Sequence, residues 1–391
     1  MTDHDTQDSA VRFKEQTYAV ESQTPEITDA ALAAERERFG IEYRGAQATI
    51  EVTQDAIRDY CNYMGSSHPL FLDPNVAQQS RWGGIIAPPV MVGNAIIAPG
   101  LRGVQWIYAG TSWEFLGVMR PGDLITQRGW YTDAQEKKGR VVARMVLQIG
   151  ETECTNQKGE VVARSKVYCM RTPRRKAGGG MGYQPRRRHW TAEEVAQLEE
   201  SILSEPAPRV EPRHWEDVAE GEEMPTLTYG PLRDVDIAFT GSYTDSGAFS
   251  AEAVAHAGAH VYQLLNRRRH PADTYFDPER GIQDHPHRGH WEQFMAQEVG
   301  MPGVYDIGPH RLSWLCRYAT DWMGCDGFLK HLEGNLRRPN VVSDVTRITG
   351  RITKKWMDGA EALVECEMSA VNQEGEETMP GRAVLSLPRR N

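Results

Sequence analysis

The chain has 391 residues, 40% hydrophobic and 25% charged, enough for two domains of ordinary size with separate cores. Its formal net charge of −10 argues against nucleic acid or an anionic membrane as the main partner. No apolar run approaches the roughly 18–20 residues that span a bilayer, and the six cysteines lack CxxC or ribbon spacing, so free thiols in a reducing cytoplasm are expected.

Residues 1–39 are polar and acidic, and read as an extension with no apolar core fit for a signal peptide. A first unit is expected over 40–172. In it "DYCNYMGSS" leads to "HPLFLDPNVAQQSRWGGIIAPPV", a polar loop running into Asp-Pro, a short helix and a glycine turn. The β-branched runs "GRVVARMVLQIGE" and "GEVVARSKVYCMR" then predict strands split by an "NQKG" turn. Residues 173–212 read as a solvated Gly/Pro-rich connector, closing with a helix whose capping box pairs Thr191 with Glu194.

A second unit is expected over 213–391, with an insert at about 246–286. Ser250 as N-cap and the stripe Val254, Ala257, Val261, Leu264 and Leu265 predict an added helix over 248–268. Leu312, Leu315, Ala319 and Trp322 repeat at helical spacing and end at Gly324. "TRITGRITKKW" and "AEALVECEMSAV" then predict strands.

The two units resemble each other. "HPLFLDPNVAQQSRWGG" answers "HRGHWEQFMAQEVGMPG", setting Phe71 against His290 at an offset of 219. "VMRPGD" answers "LRRPNVVSD" at 221, and "NQKGE" answers "NQEGE" at 216. Upstream, matching Asp59 to Asp236 gives 177, which implies 42 extra residues in the second copy. The chain is a duplication, and each half is helix first and antiparallel strands after, an α+β unit.

These segments resemble the hot-dog fold of the MaoC-like acyl dehydratases and (R)-specific enoyl-CoA hydratases, over about 40–170 and 213–388. The first half is similar to the degenerate N-terminal dehydratase domains of double hot-dog proteins. The fold that this implies is a pseudo-twofold pair within one chain, each sheet wrapped around a central helix. The implied reaction is reversible addition of water to a 2-enoyl thioester, with acyl-CoA as substrate and no metal or redox cofactor. It needs a base, an acid and a cradle for the enolate charge.

The resemblance assigns His290 to the family's histidine position and leaves Phe71 there in the first copy, where it is expected to wall the acyl site. The family's aspartate lies five residues before the histidine; here that place holds His285, and the adjacent Asp284 is the expected partner of His290. Gly308, before the 312–322 helix, is expected to let the thioester approach, with Tyr305 and Asp306 bordering the turn. Arg337, Arg338, Lys354 and Lys355 are weighed as phosphate contacts against a solvated face. Two other readings stay open. One is a non-catalytic acyl-CoA-binding scaffold. The other is a metalloenzyme using the histidines between 256 and 290. Cytoplasmic location is expected, and a homodimer is left open.

Overall fold

The structure, a computed structural model, describes residues 26–43, 49–93, 100–101, 104–138, 144–173, 186–237, 268, 275–277, 280–284 and 286–390. The predicted insert helix over 248–268 lies, but for Arg268, outside them.

The first unit opens with α1 (Asp29–Arg36), β1 (Glu42–Tyr43), β2 (Thr49–Glu51) and α2 (Gln54–Met64). Thr53 caps α2 by accepting from Ala56 N–H, and Gly65 ends it in the left-handed region. Two short helices follow, α3 (Pro69–Leu72) and α4 (Pro74–Gln79), each starting with proline at the first helical position. After a 3₁₀ turn at Pro89–Val92 come β3 (Gln105–Phe115), β4 (Leu124–Lys137), β5 (Met145–Thr155) and β6 (Val161–Thr172). In the connector, α5 (Ala192–Leu203) carries the full Thr191–Glu194 capping box.

The second unit runs through β7 (Glu223–Tyr229), the hairpin β8 (Tyr275–Asp277) and β9 (Ile282–Asp284), a 3₁₀ turn at Pro286–His290, α6 (Gln293–Glu298) and the central helix α7 (Gly308–Met323), whose place in the first unit is described only as the 3₁₀ turn at Pro89–Val92. The strands β10 (Phe328–Asn335), β11 (Thr346–Asp358), β12 (Glu361–Asn372) and β13 (Glu377–Ser386) close the chain.

All the long strands form one antiparallel sheet in the order β1-β4-β5-β6-β3-β10-β13-β12-β11-β7. This order is a mirror about the β3–β10 seam, where Trp113 faces Leu332 and Thr111 faces Gly334. Each unit's sheet is therefore the other's continuation, and alternating burial along the strands puts one face on a shared core. Thirteen of the sixteen residues of α7 are buried, so it is an interior helix, not an amphipathic surface one. It packs on β7, β10 and β13 of its own unit and on α2 and β3 of the first.

The duplication is visible at the level of single hydrogen bonds. Asn156 and Asn372 each accept from the N–H groups two and four residues ahead and donate to the glutamate four ahead. Asp123 binds Arg120 N–H and the Gln157 amide, as Asp344 binds Val341 N–H and the Gln373 amide. Val52 N–H bonds Asp123 O, as Leu232 N–H bonds Asp344 O. That last equivalence corrects the upstream alignment: its offset is 180 rather than 177, so the insert adds 39 residues rather than 42. The short, degenerate "DYCNYMGSS" match had slipped by three residues, less than one helical turn.

All six cysteines are free and buried. No helix among the described residues is long and apolar enough to cross a membrane.

Candidate active site

The 3₁₀ turn after β9 delivers His290 into the interior, where it is 6% exposed. Gly289 makes this possible, since a Cβ there would stand 3.1 Å from the Tyr305 ring. Tyr305 packs its ring on the imidazole at 4.1 Å between centroids, and its backbone O lies 2.9 Å from His290 Nδ1. A carbonyl only accepts, so Nδ1 carries the hydrogen and Nε2 presents the lone pair. Burial pushes the imidazole pKa down to about 4, against the opposing pull of backbone bonding to Tyr305 and Asp306. His290 is thus neutral near pH 7, with one tautomer selected.

The turn that supplies this carbonyl is itself tied down. Asp306 N–H donates to Asn340 O at 3.0 Å, while the Asp306 carboxylate accepts from Asn340 N–H at 3.2 Å and from its side-chain amide at 2.9 Å. Arg311, fully buried on the first turn of α7, sets Nε 3.3 Å from the same carboxylate and donates Nη1–H to Arg338 O. Burial raises the Asp306 pKa to about 6, with Arg311 the main opposing influence. The first unit reaches this place too: Ile107 of β3 packs with Tyr305 against Met295, Ala296, Val299 and Met301.

The duplication explains what this cluster is. At the established offsets, His290, Tyr305, Asp306, Arg311 and Asn340 correspond to Phe71, Ile86, Ala87, Val92 and Met119. The backbone bond from Asp306 to Asn340 has its twin in that from Ala87 to Met119. All five first-copy residues are buried and apolar. The same backbone thus holds a hydrogen-bonded polar network in one unit and hydrocarbon in the other. A buried polar group costs free energy unless paired, so once the histidine was absent its supporting polar groups had no reason to remain.

Several expectations change. Phe71 does not wall a pocket: it is 2% exposed, lies in the main core and packs on His68 at 5.1 Å. Phe71→Ala is therefore expected to cost about 3–5 kcal/mol of stability, read by chemical denaturation; a loss under 1 kcal/mol would contradict the burial. His290 Nδ1 bonds the Tyr305 carbonyl, while the side chain of Asp284, its expected partner, lies outside the described ones. Asp284 ends β9 opposite Tyr275. At Gly308 the space of a Cβ is filled by the Tyr108 ring (2.4 Å) and Leu336 (2.9 Å). Its missing side chain thus serves helix-on-strand packing, and only its backbone N–H is left to meet a ligand. Asp306 faces Asn340 and Arg311, holding the turn.

Arg337 and Arg338 pair with Glu377 and Glu376, while Lys354 and Lys355 lie over the rings of Trp356 and Trp215. Among the described residues no three His, Cys, Asp or Glu side chains are grouped to hold a metal. His256, His260 and His285 lie outside them. Arg311, Asn340 and Ile107 were missed in the sequence. The first two were detectable as positions polar in one copy and apolar in the other; Ile107 had no local signal, being brought in by the seam.

Comparison with known proteins agrees with this architecture. Residues 38–165 match a family described as "FAS1-like, dehydratase domain region". A UPF0336 protein of Thermobifida fusca (strain YX) is 24% identical over 131 residues, 31% of this chain and 86% of that one. A solved MaoC-like dehydratase superposes with a TM-score of 0.60 at 14% identity, covering 91% of this chain and all of its own. A conserved hypothetical protein from Mycobacterium tuberculosis, described as having a double hot-dog fold and as essential for bacterial survival during infection, gives 0.53 at 12% identity, covering 89% and 96%.

Proposed function

We propose, from the double hot-dog fold this chain shares with a MaoC-like dehydratase, that it is a hydro-lyase of acyl thioesters, adding water reversibly to a 2-enoyl-CoA. The observation that carries this reading is the neutral, Nδ1-anchored His290, standing in a polar cluster that the other copy lacks. In the hydration direction Nε2 takes a proton from water as its oxygen bonds to C3. The C2–C3 π pair moves to C2 and the thioester oxygen, and the imidazolium returns its proton to C2, restoring neutral His290. The enolate's charge raises the imidazole pKa at the moment it must hold a proton. The Gly308 N–H at the start of α7, with the helix's positive end, receives the thioester oxygen. Asp284 is the carboxylate candidate for sharing the water. The chemistry itself calls for no metal or redox cofactor. The six buried free thiols support a cytoplasmic setting.

The test is turnover of a panel of 2-enoyl-CoA substrates, followed by loss of enoyl-thioester absorbance. Turnover is expected for at least one member; none across short, long and branched chains would favour an acyl-CoA-binding scaffold. The pH dependence has a definite form. Because the free-enzyme pKa of His290 is lowered to about 4, the imidazole should leave kcat/KM level as pH falls through 6.5 and turn it down only near about 4, an earlier step near about 6 belonging to Asp306. A downturn centred at 6–7 that persists in Asp306→Asn, with circular dichroism unchanged, would contradict a buried neutral imidazole.

A further inference from the structure

We propose that Arg186, in the connector between the units, is a positioning residue that holds the loop orienting His290. This rests on the reading of His290 above. The connector crosses the second unit at residues 186–190. Arg186 N–H donates to Pro302 O at 3.0 Å. Its guanidinium pairs with Asp344, whose side chain is 1% exposed, and reaches Glu376 at 3.3 Å. Trp190 Nε1–H adds a second anchor on Ser343 O at 2.8 Å. Gly303 of the crossed loop would place a Cβ 3.3 Å from Arg186 O, so loop and connector are in direct contact.

From there the contacts lead to the histidine. Asp344 accepts from Val341 N–H at 2.8 Å, Val341 forms a β-bridge with Tyr305, and Tyr305 O holds His290 Nδ1. A carboxylate this buried needs a counter-charge, and arginine's planar fork can serve Asp344 and Glu376 together. The first unit is an internal control. Asp123 has the same backbone and glutamine contacts as Asp344 but is only partly buried and, among the described residues, has no cation. Its loop carries Ile86 and Phe71, with no imidazole to orient. Among the described residues, the cation accompanies the buried carboxylate of the unit that holds the histidine.

The experiment uses the full chain with ¹⁵N-labelled histidine, the His290 signals being identified by their loss in His290→Ala. Wild type should show a protonated Nδ1 and a lone-pair Nε2. Arg186→Gln should shift His290 to mixed tautomers, and Arg186→Lys, which keeps the charge but not the fork, should restore it in part. With an active substrate, kcat of Arg186→Gln should fall by about 10–10²-fold with KM little changed, as expected of misplacement by a fraction of an ångström. An unchanged His290 tautomer in folded Arg186→Gln overturns the proposal. Should that variant not fold, Arg186→Gln/Asp344→Asn removes the unpaired buried charge and is read the same way. If wild type turns over nothing, the functional reading fails, while the tautomer still decides the role of Arg186.

Discussion

His290→Ala is expected to reduce hydration of 2-enoyl-CoA by about 10²–10⁴-fold, the usual contribution of a general acid–base group, while the fold survives. The loss should fall on kcat and kcat/KM together, because the imidazole acts on the proton in flight. His290→Gln separates shape from chemistry: it can keep a hydrogen bond to Tyr305 O but cannot carry the proton, so it should be nearly as inactive. Turnover near wild type in either variant would remove His290 from the mechanism. Asp284→Asn in the same assay reports whether that carboxylate shares the work; it should match the His290 defect only if it does.

The second large effect concerns the buried pair beneath the histidine. Arg311→Val alone leaves the Asp306 carboxylate, 4% exposed, without its cation, and should cost about 3–5 kcal/mol. Combining it with Asp306→Ala and Asn340→Met gives the second unit the residues of the first at these three positions. Replacing a whole buried ionic network by packed apolar groups is often neutral or stabilising, so the triple variant should recover most of the lost stability. It should nevertheless remain inactive, because the turn carrying Tyr305 has lost its tie. Urea denaturation and turnover measured on the same preparations check both halves of this expectation. A triple variant no more stable than Arg311→Val would mean that the three residues do not act as one network.

Much of the fold was legible because its signals are local and repeated. The "NQKGE" and "NQEGE" turns appear twice with the same internal hydrogen bonds, and the Thr191 capping box and the glycine closing α7 are chemical stop and start marks. The site was legible only in part. His290 could be found because Phe71 occupies its place in the first copy. Its bond to the Tyr305 carbonyl could not be read, since a backbone carbonyl leaves no mark in the identity of Tyr305. Asp284 is singled out by its place beside the family's aspartate position, whereas the Tyr305 contact is made across a loop fifteen residues on. Gly308 misled for a related reason. A glycine at a helix start marks a close approach but not what approaches, and here it is the Tyr108 ring from the other unit. Contacts across the seam depend on the pairing of β3 with β10, which no short window of sequence encodes.

That seam also bears on why a half without its histidine persists. In the continuous sheet, β3 covers the hydrogen-bonding edge of β10 along five register pairs, His331 to Asn335. Without this cover, the second unit would present an open strand edge to any neighbour, the usual start of unwanted sheet addition. Fusion makes the shield stoichiometric and concentration-independent, as two separate chains could not be. The first unit can then accumulate hydrocarbon at every polar position, yet it must keep its backbone. Selection on such a half acts on strand geometry and on the few side chains, such as Ile107 and Tyr108, that reach across. Its sequence should therefore drift fastest where its ancestor did chemistry and slowest along β3.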